Sequence, residues 1–453
     1  MPLLFLSACM TAGDPGPSGS ASPGLASAAT LYALPTDTLA EAGLTVGDLG
    51  GDGLADIALG VLSFSDTNDD HGRAVLLLDS RAPLDPGTAA TVHGNDHTPG
   101  WGAMVALPGD LDGDGDGEVA LLLGDGCLGA ERGAALLYGP FDTETPADCP
   151  LDDAEAATFA FPPSDTSTTW ADRTITPLSD GDGPATLAVG GGGEGADVPG
   201  LVALYDTPVR GVQLLSDAPT VLTGAHPGDR FGFNVARADV LGDGSRQLLV
   251  GASFDPTYTD AGGTIRIFTD PNGNVAAVDA DAVVTAPAGS HIGDGLVAGD
   301  LDDDGYDDLV TGTFAEAALD QKGVWYLASG PIAGERDLTE GLLIDSGYDT
   351  VRGYGPVTAV ADFDADGRLD LAIRQIDHGE EGGGLLIRFG PLTGGAEQLY
   401  AESGTDDESG VAAGDVDGDG LTDLVFTFAN WPTVTGDTLS GVGVIDGATI
   451  GGG

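Results

Sequence analysis

Lysine and arginine are scarce. Fifteen basic residues, with Lys322 the single lysine, face 73 acidic ones in 453, for a formal net charge of −58 at pH 7. Such a chain lacks the basic footprint that nucleic acid requires, and it would not dock directly on anionic lipid. Long apolar runs are missing as well. None approaches the ~18 residues that cross a bilayer, so membrane contact is expected only through a lipid anchor. No 3.6-residue periodicity is sustained, which predicts few helices. With three cysteines and six histidines, the chain has no HExxH, CxxC or GxSxG pattern. The stretch GGGGEG (190–195) fits GxGxxG, but strand-like GLVALYD (200–206) follows it where a dinucleotide site needs a helix. Paired carboxylates carry no information in so acidic a chain, and no enzyme is expected.

Aspartate and glycine are abundant, and they are ordered. Residues 414–426 read GDVDGDGLTDLVF. A hard divalent cation takes six to eight oxygens, and a tight loop can aim every second side chain inward. Asp415, Asp417 and Asp419 would supply carboxylates, Gly420 the sharp turn and Leu421 its carbonyl. An EF-hand needs a bidentate glutamate at position twelve, where this chain has Phe426. The EF-hand reading fails, and DLVF after the loop reads as a strand.

The loop recurs as GDLDGDGDGEVALLLG (109–124), GDLDDDGYDDLVTG (299–312) and ADFDADGRLDLAIR (361–374), with a thinner copy at 47–60. Position twelve in these copies is Leu121, Thr311, Ile373 and Leu59, never acidic. Two eroded copies lie at 177–191 and 238–252, with Leu178 and Leu241 where carboxylates are due. First-ligand positions fall at 48, 110, 178, 239, 300, 362 and 415, a period near sixty that marks a repeat architecture. Each unit holds about four short apolar runs separated by turn signals, the pattern of a propeller blade. Runs such as DIALG and QLLVG are continuously apolar, as suits strands covered on both faces. The fold class expected is all-β: a seven-bladed β-propeller with four-stranded antiparallel blades. The seventh unit stops early, and ATLYALP (29–35) belongs to no unit. That N-terminal strand is expected to close the ring and remove its free sheet edges.

PGDRFGFNVARADVLGDGSRQLLVGASFD (227–255) resembles an FG-GAP repeat, the unit of the integrin α-chain N-terminal β-propeller. Phe231-Gly232 stands for FG and Gly251-Ala252-Ser253 for GAP. Trp101-Gly102 replaces the first pair in the second unit, and the other five units lack one. The resemblance covers roughly 29–447 and includes no integrin inserted or leg domain. It implies Ca²⁺, four to five ions. The implied ligands in blade two are Asp110, Asp112, Asp114, the Asp116 carbonyl and Glu118. In blade five they are Asp300, Asp302, Asp304, the Tyr306 carbonyl and Asp308. Blade six offers Asp362, Asp364, Asp366, the Arg368 carbonyl and Asp370, and blade seven adds Asp423 to the residues above. Asp48, Asp52, the Leu54 carbonyl and Asp56 make a weaker site in blade one, because Gly50 leaves position three without an oxygen. Five such ions would cancel ten charges and leave −48; the remaining acidity keeps the surface soluble.

LSAC (6–9) resembles the bacterial lipobox, with Cys9 the lipidated residue, although no basic segment precedes it. The expected organisation is a lipoprotein-type signal at 1–9, a flexible Gly/Pro/Ser tether at 10–28 and one propeller domain over 29–453. Cys127 and Cys149 are the candidate disulfide of an exported chain. His97 and His226 each precede an aromatic–glycine pair and read as turn residues. Loops after the second strands carry Phe64, Phe254, Tyr258, Phe314, Phe428 and Trp431. In the integrin-like arrangement these loops face away from calcium, and they either pack beneath themselves or form a ligand face. The function expected is a monomeric, envelope-exported binding or adhesion module for a glycan or protein. The alternatives are an envelope enzyme such as a polysaccharide lyase or hydrolase, and a structural surface component.

Overall fold

The computed structural model describes residues 28–33, 43–61, 74–78, 90–93, 105–128, 131–141, 145–146, 156–160, 173–178, 186–191, 198–259, 262–293, 295–312, 325–344, 358–375, 384–393, 396–401, 410–432 and 438–451. Strands dominate them. The helices are three-residue 3₁₀ turns and the single turn Gly447–Ile450. No helix among the described residues is long and apolar enough to cross a membrane.

The strands among the described residues form seven sheets. Blade four shows the plan: Val235–Ala238, Gln247–Ala252, Thr264–Phe268 and Ala282–Thr285 pair antiparallel in chain order. Its second strand is buried at every residue, because neighbouring blades cover both of its faces. The first strand of each blade lies against that of the next, from Leu44–Gly47 round to Val411–Gly414, which adjoins Leu44–Gly47 again. Seven apolar clusters fill the seven seams. The one between blades four and five gathers Val240, Leu249, Ile265 and Ile267 with Leu296, Leu309 and Tyr326. The one between blades seven and one gathers Val425, Val442 and Val444 with Ile57 and Leu59. Thr30–Ala33 runs antiparallel to Thr438–Ile445, Leu31 opposite Gly443.

One part of the expected fold class is corrected. Blades one to four are not four-stranded and purely antiparallel: each carries a fifth strand, added in parallel. It comes from the following blade, whose connection between third and fourth strands reaches back across the seam. Gly211–Leu214 so joins blade two beside Ala156–Ala160, and Gly334–Asp337 joins blade four beside Ala282–Thr285. Three of these crossing strands, Gly211–Leu214, Gly273–Ala276 and Gly334–Asp337, are half-wet, with Val212 and Leu214 58% and 48% exposed. With sequences such as GVQL, GNVA and GERD they are of mixed character and no more than four residues long, too short for a period to show.

Candidate metal centres

Each acidic loop links the first strand of a blade to its second, and one hydrogen-bonding scheme shapes it. The position-one carboxylate accepts from backbone N–H groups across the turn. Asp300 takes Asp304 N at 3.1 Å and Gly305 N at 3.0 Å, and Asp362 takes Asp366 N at 3.0 Å and Gly367 N at 2.9 Å. Asp415 and Asp110 do the same work with Gly420 and Gly115. The position-five carboxylate accepts from the N–H of position seven: Asp114 from Asp116, Asp304 from Tyr306, Asp366 from Arg368, Asp419 from Leu421. Those contacts seat the peptides whose carbonyls are the implied position-seven ligands. The turn needs left-handed backbone at positions four and six, where Gly418 has φ 78° and Gly420 φ 86°. Asp303 and Ala365 adopt the conformation at position four, with φ 65° and 58°.

The position-nine acids are buried at the start of the second strands, where Glu118, Asp308 and Asp423 have no exposed surface. Asp308 accepts from Leu301 N at 3.0 Å and Gly330 N at 2.8 Å, and Asp423 from Val416 N and Gly447 N, both at 2.9 Å. Asp370 likewise takes Phe363 N and Gly390 N, both at 2.8 Å. Burial, with neighbouring carboxylates adding to it, pushes Asp308 and Asp423 up to about 6. It pushes Glu118 up to about 8. Asp364, Asp370 and Asp417 are raised for the same reasons.

Carboxylate oxygens converge in four loops: Asp110, Asp112, Asp114 and Glu118; Asp300, Asp302 and Asp304; Asp362, Asp364 and Asp370; Asp415, Asp417 and Asp423. Within each group one oxygen per residue lies within 4.8 Å of the others. Oxygens about 2.3–2.6 Å from a shared calcium ion lie no farther apart than about 5 Å. A further observation supports a cation: Asp112 Oδ1, Glu118 Oε1 and Asp302 Oδ1 are buried without a hydrogen-bond partner. Such oxygens are costly unless something positive meets them. The residues fit a hard divalent ion.

Some implied ligands fall outside these groups. Asp308 is absent from the blade-five group, although its two oxygens accept from backbone N–H groups just as those of Asp370 and Asp423 do. Asp366 turns Oδ2 to Arg368 Nη1 at 3.3 Å. Asp419 groups instead with Asp417 and Asp446. Asp446, the cap of the Gly447–Ile450 turn, was missed because it lies far along the chain from the loop it meets. In blade one, Asp48, Asp52 and Asp56 form no such group. Asp56 Oδ2 accepts from Leu49 N at 2.7 Å and Gly50 N at 3.1 Å, and Leu54 N is held by Asp52 at 3.0 Å. Sequence reasoning also missed Arg210, whose Nη2 lies 2.5 Å from Asp112 Oδ2 while its guanidinium covers the Tyr138 ring at 3.7 Å.

The aromatic face is only partly described. Phe64, Phe314, His97, Cys9 and Cys149 lie outside the described residues, as do the leader and nearly all of the tether. Cys127 falls in the strand Glu118–Leu128. Phe428 is corrected: it is 1% exposed and belongs to the core between blades six and seven. Trp431 sits in the same strand, Asp423–Pro432, and not in a loop. Phe254 is half-buried, with the Arg230 guanidinium 4.4 Å from its ring centre and the His291 ring at 4.6 Å. Tyr258 is 40% exposed. His226 joins a turn network, its N–H donating to Asp229 at 3.0 Å and its ring Nδ1 3.2 Å from Asp255 Oδ1.

No family model matches the chain. It is similar to integrin alpha pat-2 of Caenorhabditis elegans, 31% identical over 216 residues that make up 43% of this chain and 17% of that protein. The likeness thus spans about a sixth of the relative's length. Among solved structures, the V. cholerae biofilm matrix protein Bap1 aligns over 93% of this chain and 91% of its own at 11% identity, with a TM-score of 0.41. What the chain shares with a named relative is a partial, integrin-alpha-like sequence on a β-propeller scaffold.

Proposed function

We propose that the chain is a calcium-stabilised propeller exported to a bacterial envelope, where it serves as a binding or adhesion module for a glycan or a protein. The observation that carries the metal part is the buried, unpartnered Glu118 Oε1 beside Asp110, Asp112 and Asp114. When bound, calcium supplies positive charge to these oxygens and a rigid centre to the loop. The chain's own part is to hold the acids in place through the backbone N–H groups of each loop. The adhesion reading is supported by the partial likeness to an integrin alpha chain, and it assigns no catalysis. Lipid attachment at Cys9 rests on the LSAC motif and is tested by Cys9→Ser, which should release the protein from membranes.

The deciding experiment has two parts. Metal analysis after dialysis against calcium should find four ions per chain, and zero or one would refute the metal assignment. A glycan and protein array probed with and without calcium should then show calcium-dependent retention, and an array blank in both conditions would remove the adhesion reading.

A further inference from the structure

The loop of blade four keeps the shape of the acidic loops without their charge. Asp239 accepts from Asp243 N at 3.1 Å and Gly244 N at 2.9 Å, as Asp300 accepts from Asp304 and Gly305. Asp243 Oδ1 takes Ser245 N at 2.9 Å, as Asp304 Oδ1 takes Tyr306 N at 2.9 Å. Gly242 and Gly244 have φ 69° and 85°, against 65° and 91° at Asp303 and Gly305. Yet position three is Leu241 and position nine is Gln247, so the loop carries two carboxylates fewer than blade five.

Gln247 has no exposed surface. Its Oε1 accepts from Leu241 N at 3.0 Å, one residue beyond the N–H that Asp308 takes in blade five. Its Nε2 then faces inward, 3.0 Å from Asp243 Oδ1, 2.8 Å from the Ser245 carbonyl and 3.1 Å from Ser245 Oγ. The position-five carboxylate and the position-seven carbonyl are the atoms that would meet an ion in the other loops. The Leu241 N–H fixes the amide's orientation, since a flip would set donor against donor on one side and acceptor against acceptor on the other. We propose that the side-chain amide of Gln247 stands where the cation stands in the acidic loops, so that blade four holds the metal-loop conformation with no ion. A neutral N–H donor suits the loop because Leu241 has removed the third carboxylate.

This inference rests on the calcium reading, and the two fail in distinguishable ways. Hydrogen exchange of the full chain is measured in calcium and in chelator. Amides of 300–308 and 415–423 should exchange about tenfold faster or more without calcium, while those of 239–247 change by less than about twofold. The second arm is Gln247→Glu, which has the shape of the original side chain and the charge found at Glu118. It replaces the two N–H donors of one nitrogen by a single carboxylate oxygen facing Asp243 and Ser245, so it should bind one ion more than the parent chain. It should also melt below the parent in chelator and recover in calcium. The proposal is overturned if 239–247 accelerates as much as 300–308, or if the variant gains no ion and melts like the parent in chelator. If the variant fails to fold even in calcium, the exchange comparison decides. If the parent binds no calcium and no loop responds to chelator, the calcium reading falls and this inference with it.

Discussion

Glu118 and Gln247 occupy the same place in two repeats and differ by one heavy atom, yet one leaves a buried oxygen unpartnered and the other satisfies its whole amide. Glu118→Gln should therefore weaken calcium in blade two about tenfold or more, since a charged ligand becomes neutral. It should also raise the melting temperature in chelator, because a buried ionisable group is removed. Ion counting and melting curves on one variant test both signs. The same residue sets a pH dependence. Its folded value near 8 lies above the ordinary 4.5, and Asp308 and Asp423 near 6 lie above 3.8. A raised carboxyl contributes stability that is full below its unfolded value and is lost as pH rises through its folded value. The ion-free chain should thus melt higher as pH is lowered from about 8 towards 5. The calcium-induced rise in melting temperature should shrink over the same range, because protons compete for the ligand oxygens. Melting curves at four pH values with and without calcium check it; a calcium effect that grows on acidification would contradict these values.

At the scale of elements, the loops interlock from blade to blade. Gly117 N donates to Leu49 O at 2.6 Å, Ala55 N to Asp415 O at 2.9 Å and Leu392 N to Leu301 O at 2.8 Å. Asp307 Oδ2 accepts from Asp239 N at 2.7 Å, and Arg368 Nε reaches Asp303 at 3.2 Å. Gly51 and Gly53 separate two costs of such a seam. Both have positive φ, 63° and 86°, but a Cβ on Gly51 would lie 2.1 Å from Gly115 O whereas one on Gly53 meets nothing. Gly53→Ala should cost about 1 kcal/mol of backbone strain, and Gly51→Ala clearly more, since backbone must also move. Equal melting temperatures for the two variants would show that blades one and two can separate freely. Much of this scaffold was legible in the chain. The sixty-residue period, the DxDxDG spacing and the doubly covered second strands all follow from local residue order. The crossing strands were not legible, because Gly211–Leu214 pairs with a strand some fifty residues earlier and carries no pattern of its own. Nor was the burial of Phe428, since the strand Asp423–Pro432 runs on past Thr427, where its continuous apolar run ends. Asp446 and Arg210 reach their loops by tertiary folding alone.

For the whole molecule the governing quantity is a net charge of −58 on one chain, with acidic loops that touch one another across the seams. Two effects of added salt must then be told apart. Any electrolyte shortens the Debye length, to about 10 Å at 0.1 M, and relieves the diffuse repulsion between exposed carboxylates. It does little for Glu118, Asp308 and Asp423, which have no exposed surface and whose partners lie a few ångströms away. A bound ion acts on those groups directly and binds the folded loop far better than the extended chain, so it stabilises by mass action, by about 2.7 kcal/mol per site at a hundred times its dissociation constant. Extracellular calcium modules bind at about 10⁻⁴–10⁻³ M. Calcium at about ten millimolar should therefore raise the melting temperature well beyond sodium chloride of equal ionic strength. Magnesium should fall between the two, because it demands a tighter octahedron and gives up water reluctantly. Asp417→Ala removes the carboxylate common to both groups of blade seven; it should lose one ion and part of the calcium effect, and leave the sodium chloride effect unchanged. If sodium chloride matches calcium at equal ionic strength, the acidic loops act only as a diffuse charge that any salt screens.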